Sequence, residues 1–427
     1  MSSSGRRVVL ATSNFPPEFL GGTERVVLAV AQSLREQGDE VLVLSGSEKP
    51  HEGVDVVEET VDGFPVRRIP RLPDEVYSLW IERERVRDLC RSVVREFGAD
   101  VLHLNHWVTL STELIRAVAE DGVPTVVTLH DMWTTCPRFF RRPPEGVTCP
   151  TGAGREPCGA CAHLSLGHID LETLKKGIGH RDHHLGRELE CACVITTPSE
   201  SAAENIARHL PTDRRIEVVP HGLLEPVTER RDPSPEESSP DQPLRLGTFG
   251  NLVEEKGVLL LVWACRGLPN VELHYYGPFL AEACRTEAVE RAEEFGVDLH
   301  LHGSYSNSER HPALDLDVAV FPSLCEETYG LVVDEALARG TPVVVSDRGA
   351  LSERVGGGGL VSSVDSVEAL HEALRPLCEN RAAVDRLRSG IADSFSTIRD
   401  AALSYRQIYQ EAIDSFVGLR SDQDPAS

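Results

Sequence analysis

The chain has 427 residues, 41% of them hydrophobic, enough for two or three domains with sizeable cores and too apolar for a disordered chain. Acidic residues outnumber basic ones 68 to 43, and the formal charge of −25 disfavours general binding to nucleic-acid backbones or anionic lipid, so any phosphate site has to be a local exception. No stretch reaches the roughly 18 apolar residues of a membrane span, and Met1-Ser-Ser-Ser-Gly-Arg-Arg lacks the apolar run of a secretory signal; the expectation is a cytoplasmic protein with at most peripheral membrane contact, whose cysteines are thiols or metal ligands rather than disulfides.

The first half alternates short β-rich runs with helical patterns. Arg7–Ala11 reads as a buried strand, and Glu24 to Gln37 as a helix, with Val27, Val30, Ala31 and Leu34 on one face and Gly38 as the stop. Strands follow at Glu40–Leu44, Asp100–Leu104, Thr125–Leu129 and Cys193–Thr196, separated by helical stretches. Residues 229–241 read ERRDPSPEESSPD, Pro-, Ser- and charge-rich, which marks a linker or exposed loop. The alternation then restarts with strands at Leu244–Phe249, Val271–Tyr276, Val318–Phe321 and Pro342–Val345, and an amphipathic helix spans Ala401–Phe416. Strand–helix alternation of this kind argues for an α/β fold with parallel sheets covered on both faces. The expected organisation is a first Rossmann-like domain over 1–226, a linker over 227–243, a second Rossmann-like domain over 244–400, and a C-terminal helix and tail over 401–427. Ligands of open α/β sheets bind beyond the carboxyl ends of the strands, so chemistry is expected in the loops that follow them, facing a cleft between the two lobes.

Four such loops carry candidate chemistry. Gly21-Gly22 precedes the first helix; two glycines let the backbone approach a phosphate or sugar, and a simple tight turn is the bland alternative. With no Gly-x-Gly-x-x-Gly, a dinucleotide cofactor is unsupported. His130, in Thr128-Leu-His-Asp-Met-Trp133, ends a strand, where it serves either a ligand or the fold. Lys256, in Gly250-Asn-Leu-Val-Glu-Glu-Lys-Gly257, is one of only four lysines and the only one after the linker. Finally, Glu327-Thr-Tyr-Gly-Leu-Val-Val-Asp-Glu335 enters a helix that stops at Gly340, with Leu331, Val332, Leu337 and Ala338 available for one buried face. The N-terminus of that helix suits a phosphate, although glutamates here also read as a cap and a surface residue.

Together these elements resemble the family 4 glycosyltransferases, which are retaining and have the GT-B fold of two Rossmann-like lobes. The resemblance covers roughly residues 7 to 415 and is most specific over 317–354, where Glu327, Glu335, Gly340, Pro342, Val343, Gly349 and Glu353 fall in the family's pattern. It implies a nucleotide diphosphate sugar as donor, a hydroxyl of a glycan, lipid or small molecule as acceptor, and no catalytic metal. It further implies that Glu335 holds the donor ribose and that Lys256, with the loop Tyr329-Gly330 and the Gly21-Gly22 turn, meets the diphosphate. Glu327 and His130 frame the transferred sugar. Asn251 departs from the pattern, since the family commonly has arginine there; Arg348 or Arg25 could compensate, and a catalytically weak protein that binds nucleotide sugars or acts as a scaffold is the alternative reading. A subset of the family also resembles this chain in following His-Asp-x-Trp with Cys-Pro and further cysteines.

In that loop, 136–161, Cys136, Cys149, Cys158 and Cys161 suggest a structural zinc site, with an iron–sulfur cluster or plain or disulfide-linked thiols as alternatives. Asp315-Leu-Asp317 spells a manganese motif of another glycosyltransferase fold but reads here as the acidic start of a strand. His180, Asp182, His183 and His184 are read as a solvated helix face rather than metal ligands, and His221 as the cap of a turn. Cys325 has no neighbour in sequence to act as a base, so no nucleophilic role is expected of it.

Overall fold

This computed structural model describes residues 5–19, 21–50, 55–72, 82–142, 149, 156–210, 212–231, 242–306 and 310–423. The chain divides into two compact units. The first comprises Met1–Phe139, Pro150–Glu225 and Ser396–Ser427, and the second Phe140–Cys149 and Pro226–Phe395. Of the expected linker, residues 232–241 lie outside the described residues.

The first unit holds strands β1 (Arg7–Thr12), β2 (Glu40–Pro50), β3 (Val57–Val61), β4 (Phe64–Arg71), β5 (Val101–Leu104), β6 (Thr125–Thr128), β7 (Val194–Thr197) and β8 (Ile216–Val218). They form one sheet in the order β3-β4-β2-β1-β5-β6-β7-β8, parallel except for the edge hairpin β3–β4. Val9 sits beside Leu42 and Leu102 in this register. All of β5 and β6 is buried, which is why their sequences are continuous apolar or small runs instead of alternating ones.

The second unit holds β9 (Leu244–Phe249), β10 (Val271–Tyr276), β11 (Asp298–Gly303), β12 (Val318–Phe321), β13 (Val343–Ser346) and β14 (Gly359–Ser362), ordered β11-β10-β9-β12-β13-β14. Every pairing in it is parallel. Its two faces carry separate apolar clusters. Leu246, Leu273, Val318 and Val320 lie in one, while Phe249, Ala319, Phe321 and Val345 lie in the other. That split follows from the period of two along a strand. In both sheets the order reverses beside the first strand of the unit, between β1 and β5 and between β9 and β12. Loops diverge at such a point and leave a crevice.

Asp317, the second acid of the Asp-x-Asp spelling, is committed to the fold. Its carboxylate pairs with Arg231 at 2.9 Å, Arg245 at 3.1 Å and Arg381 at 3.1 Å. Burial alone would push this carboxyl up; the Arg245 guanidinium and its neighbours more than reverse that and hold it far below the usual range. Asp315 pairs with Arg310 at 2.7 Å. The two acids therefore staple the start of β12.

The helix Ile398–Gln423, longer than the Ala401–Phe416 expected, packs within the first unit. Tyr405 and Tyr409, one turn apart, are fully buried against His103 of β5, with ring centroids 4.8 and 5.6 Å away. The His103 imidazole bonds the Tyr409 hydroxyl at 2.7 Å and the Thr128 hydroxyl at 2.6 Å. Arg406 pairs with buried Asp39 at 2.9 Å. Among the described residues no helix is long and apolar enough to cross a membrane.

Two outcomes follow from this seam. Tyr409→Phe deprives buried His103 of a partner and should cost about 1–3 kcal/mol, and Tyr409→Ala about 3–5 kcal/mol, both read by denaturant unfolding. Burial pushes His103 from 6.5 down to about 3, so the unfolded chain binds a proton that the folded chain refuses. Stability is then full above the unfolded value and lost as pH falls from about 6.5 toward the folded value; unfolding curves should show that loss, and His103→Gln should flatten it.

Candidate active site

The site in the second unit is built where its sheet reverses order. After β9 the chain runs through Gly250 to a single 3-10 turn, Glu254–Lys256; after β12 it runs through Pro322 to Glu327. Gly257 allows these two loops to touch: its φ is +74°, and a Cβ there would overlap the Pro322 carbonyl oxygen. The loops are then tied by backbone and side chain. Leu324 N–H donates to the Glu255 carbonyl at 2.8 Å, and the Ser323 hydroxyl lies 3.3 Å from the same oxygen.

On this frame Lys256 forms an ion pair with the Glu327 carboxylate, which also accepts from Ser323 Oγ at 2.8 Å. Burial draws the Lys256 ammonium down, but Glu327 more than offsets it, and the group is held above its ordinary value and charged. Its side chain is 41% exposed, so a second anion can reach it. Glu327 is fixed from behind as well. Its backbone bridges to Gly349, where a Cβ would overlap it, and its carbonyl accepts from Ala350 N–H at 2.8 Å.

Gly330 begins the helix Leu331–Ala338. The expected face of Leu331 and Val332 is only half-buried; the buried stretch is Val333 to Ala338, acids included. The helix is wrapped on more than one side, which an amphipathic stripe does not foretell. Tyr329 is buried, donates to Asp334 at 2.9 Å and lies under the Arg354 guanidinium at 4.3 Å, with Arg354 paired to the same Asp334. Its side chain is thus committed to the loop. Glu335 is 7% exposed, 3.9 Å from His311 Nε2. His311 accepts from Ala313 N–H at Nδ1, at 3.2 Å, leaving Nε2 to carry the proton when the ring is neutral.

Cys325 lies between these groups, 3.2 Å from Ser323 Oγ and 4.0 Å from Glu327 Oε1. Burial and the Glu327 charge push its thiol up to about 11, so it stays protonated and is no nucleophile. Asn251 is exposed, and the candidate substitute Arg348 is paired with Asp365. Arg25 is 3.9 Å from Glu225 within the first unit.

The first unit builds its polar cluster at its own reversal. Loops after β1, β5 and β6 bring Ser13, Asn105, His106, His130 and Asp131 together. His106 bonds Ser13 Oγ at 2.7 Å through Nδ1 and Asp131 at 3.2 Å through Nε2. His130 Nε2 bonds Asn105 Oδ1 at 2.8 Å, which as a carbonyl accepts, so that nitrogen carries the proton. Burial pushes His130 down to about 4, making it neutral at pH 7. His221, expected only to cap a turn, stacks on it with centroids 5.1 Å apart. Gly21 N–H donates to Glu24 Oε2 at 3.0 Å at the start of the helix Gly22–Glu36, and burial pushes that carboxyl up. Sequence reasoning missed Asn105, His106 and Glu24. The rule that found His130, a polar residue just past a buried strand, applies equally to Asn105-His106 after Val101–Leu104.

Cys158 and Cys161 lie one turn apart on the helix Glu156–Ser165, and among the described residues Cys136, Cys158 and Cys161 form no group within ligating reach of one another. Cys136 lies against the main core of the first unit and Cys158 against Ala162, Leu174 and Ile178. Cys149 falls in the stretch grouped with the second unit, and residues 143–148 and 150–155 lie outside the described residues.

Comparison with known proteins agrees with this architecture. Residues 20–223 match the pattern described as Glycosyltransferase Family 4, and residues 243–380 that described as Glycosyl transferases group 1. A D-inositol 3-phosphate glycosyltransferase of Paenarthrobacter aurescens is 25% identical over 93% of this chain and 94% of its own. A GDP-mannose-dependent alpha-mannosyltransferase of Mycolicibacterium smegmatis is 28% identical over 90% of this chain and 91% of its own. Among solved structures, sucrose-phosphate synthase from Thermosynechococcus elongatus superposes with a TM-score of 0.67 at 17% identity, covering 96% of this chain and 100% of that one. The catalytic domain of starch synthase IV from Arabidopsis thaliana gives 0.67 at 16% identity, with 96% and 100% covered. With both halves of the pattern present on two parallel-sheet units of the GT-B type, the chain belongs to the family 4 glycosyltransferases.

Proposed function

We propose that this glycosyltransferase takes a nucleotide diphosphate sugar and transfers the sugar, with retention of anomeric configuration, to a hydroxyl of a glycan, lipid or small-molecule acceptor. The observation that carries the reading is the meeting of Lys256, Ser323 and Glu327 at the reversal point of the second sheet, one short helix from buried Glu335. A diphosphate is the ligand for which an acidic protein needs a charged lysine beside a helix N-terminus. The names of two relatives, both GDP-mannose-dependent alpha-mannosyltransferases, point the same way on donor class.

In this reading Glu335 accepts hydrogen bonds from the ribose hydroxyls, with His311 beside it. The diphosphate competes with Glu327 for Lys256 and also meets backbone N–H groups around Tyr329 and Gly330. Ser323 and the Gly349 contact then keep Glu327 in place beside the sugar. As the glycosidic bond breaks, charge builds on the departing diphosphate, and Lys256 stabilises it where it develops. The acceptor oxygen attacks from the same face, and the departing phosphate oxygen takes the acceptor's proton, so no side chain need act as base. His130 is neutral and serves the sugar as a hydrogen-bonding group, not as an acid, and the Gly21-Gly22 turn contributes backbone donors. A cytoplasmic location belongs to the same reading, in keeping with eleven cysteines and no disulfide among the described residues. Asn251 favours a second reading, a protein that binds donor without turnover.

The outcomes separate these roles. Lys256→Met should lower kcat by about 100- to 1,000-fold, whereas Glu335→Ala should act mainly on donor KM, raising it about 10- to 100-fold. His130→Asn should lower kcat without changing the shape of the pH–rate profile between pH 5 and 8, because burial already holds His130 at about 4. Proton NMR of the first-formed product should show the donor's anomeric configuration; the inverted product would overturn the retaining mechanism. Binding without turnover across UDP-, GDP- and ADP-sugars would favour the second reading.

A further inference from the structure

Away from the groups just described, β10 and β11 carry a period-two pattern of ligating side chains: Glu272-Leu-His274-Tyr-Tyr276 and Asp298-Leu-His300-Leu-His302. Alternation puts Glu272, His274 and Tyr276 on one face of β10, and Asp298, His300 and His302 on the matching face of β11. The parallel register pairs Glu272 with Asp298 and His274 with His300. β11 is the edge of the sheet. The rings form a stack: His274 to His300 at 4.7 Å, His274 to His302 at 5.3 Å and Tyr276 to His302 at 4.0 Å.

From this geometry we propose that Glu272, His274 and His300 bind a divalent transition-metal ion, zinc foremost, with His302 orienting His274. One ligand atom from each of the three lies within 4.8 Å of the others. Zinc bonds of about 2.0–2.1 Å in a tetrahedron put neighbouring ligand atoms about 3.3–3.4 Å apart. His274 Nε2 stands 3.3 Å from Glu272 Oε2, already the edge of that tetrahedron, and His300 closes the third corner by a small ring movement. A water completes four-coordination, and Asp298, 3.2 Å from His300 Nε2, lies beside that ligand.

The surroundings fit a ligand set in a second respect. Metal-binding imidazoles are held by a hydrogen bond from their other nitrogen. His274 Nδ1 is 3.0 Å from His302 Nε2, and His302 is itself clamped flat against Tyr276. Two imidazoles and a carboxylate select zinc, nickel or copper over magnesium or calcium. The ion would be structural, pinning the edge strand to its neighbour, since none of these residues belongs to the Lys256–Glu327–Glu335 set.

A different grouping, Glu82 with His180 and His184 of the helix Leu171–Cys191, provides the control; there one carboxylate oxygen receives both imidazoles at 2.9 and 3.1 Å. The full chain, stripped with chelator and dialysed against micromolar zinc chloride, is assayed for bound metal and for its melting temperature. His300→Ala and Glu272→Gln should each bind one equivalent fewer than the unsubstituted protein and lose zinc-induced stabilisation, while His180→Ala/His184→Ala keeps both. His302→Ala should weaken zinc about 10- to 100-fold. Both His300 and Glu272 are half-buried, and their metal-free melting temperatures report folding. If Glu272→Gln and His300→Ala retain the full zinc content, or if the unsubstituted protein binds none, the proposal is overturned and the stack is a neutral structural ladder.

Discussion

One lysine meets one glutamate, and the second unit's functional loops depend on that contact. Lys256 follows the first strand of that unit and Glu327 the fourth, and 71 residues of chain separate them. Their meeting depends on Gly257, where any side chain would strike the Pro322 carbonyl, and on Gly349, where any side chain would strike Glu327 itself. In a chain with formal charge −25 the ammonium group is also an electrostatic exception. Held by Glu327, which Ser323 fixes in turn, it stays charged and partly open. It is thereby poised to exchange one anionic partner for another without first being pulled out of the core.

The first unit solves a different problem. Its polar residues sit at the reversal of a largely parallel sheet, where burial keeps His103 and His130 neutral. His103 carries the seam to the C-terminal helix, and His130 shares Asn105 and the His221 ring. Neutral imidazoles add no charge to a cluster already bordered by Glu24 and Asp131. The strong acid clamp at Asp317 shows the opposite solution: a carboxylate kept charged by three arginines so that β12 starts in one place.

How much of this was legible in the sequence depends on the range of the interaction. The two sheets and the helix between Glu327 and Glu335 were legible, because period and punctuation are local. So were Lys256 and His130 as candidates, since both follow buried strands. The Lys256–Glu327 pairing was not, because it is a contact between two loops that only the sheet order brings together. Nor was the burial of Glu335 or the docking of Tyr405 and Tyr409 on His103. Cys136, Cys149, Cys158 and Cys161 suggest ligation by their spacing alone, and of these Cys136 and Cys158 also pack with apolar side chains. The alternating Glu272-x-His274 and Asp298-x-His300-x-His302 pattern was in plain view but gained meaning only with the register of β10 and β11.

The central claim is that the Lys256–Glu327 site receives the diphosphate of a nucleotide sugar. Calorimetric titration of the full chain with UDP, GDP and ADP, repeated on Lys256→Met, tests it most directly. The account predicts that at least one nucleoside diphosphate binds, that the matching monophosphate binds more weakly, and that the substitution removes most of that difference. Equal affinity for diphosphate and monophosphate, unchanged by the substitution, would contradict it.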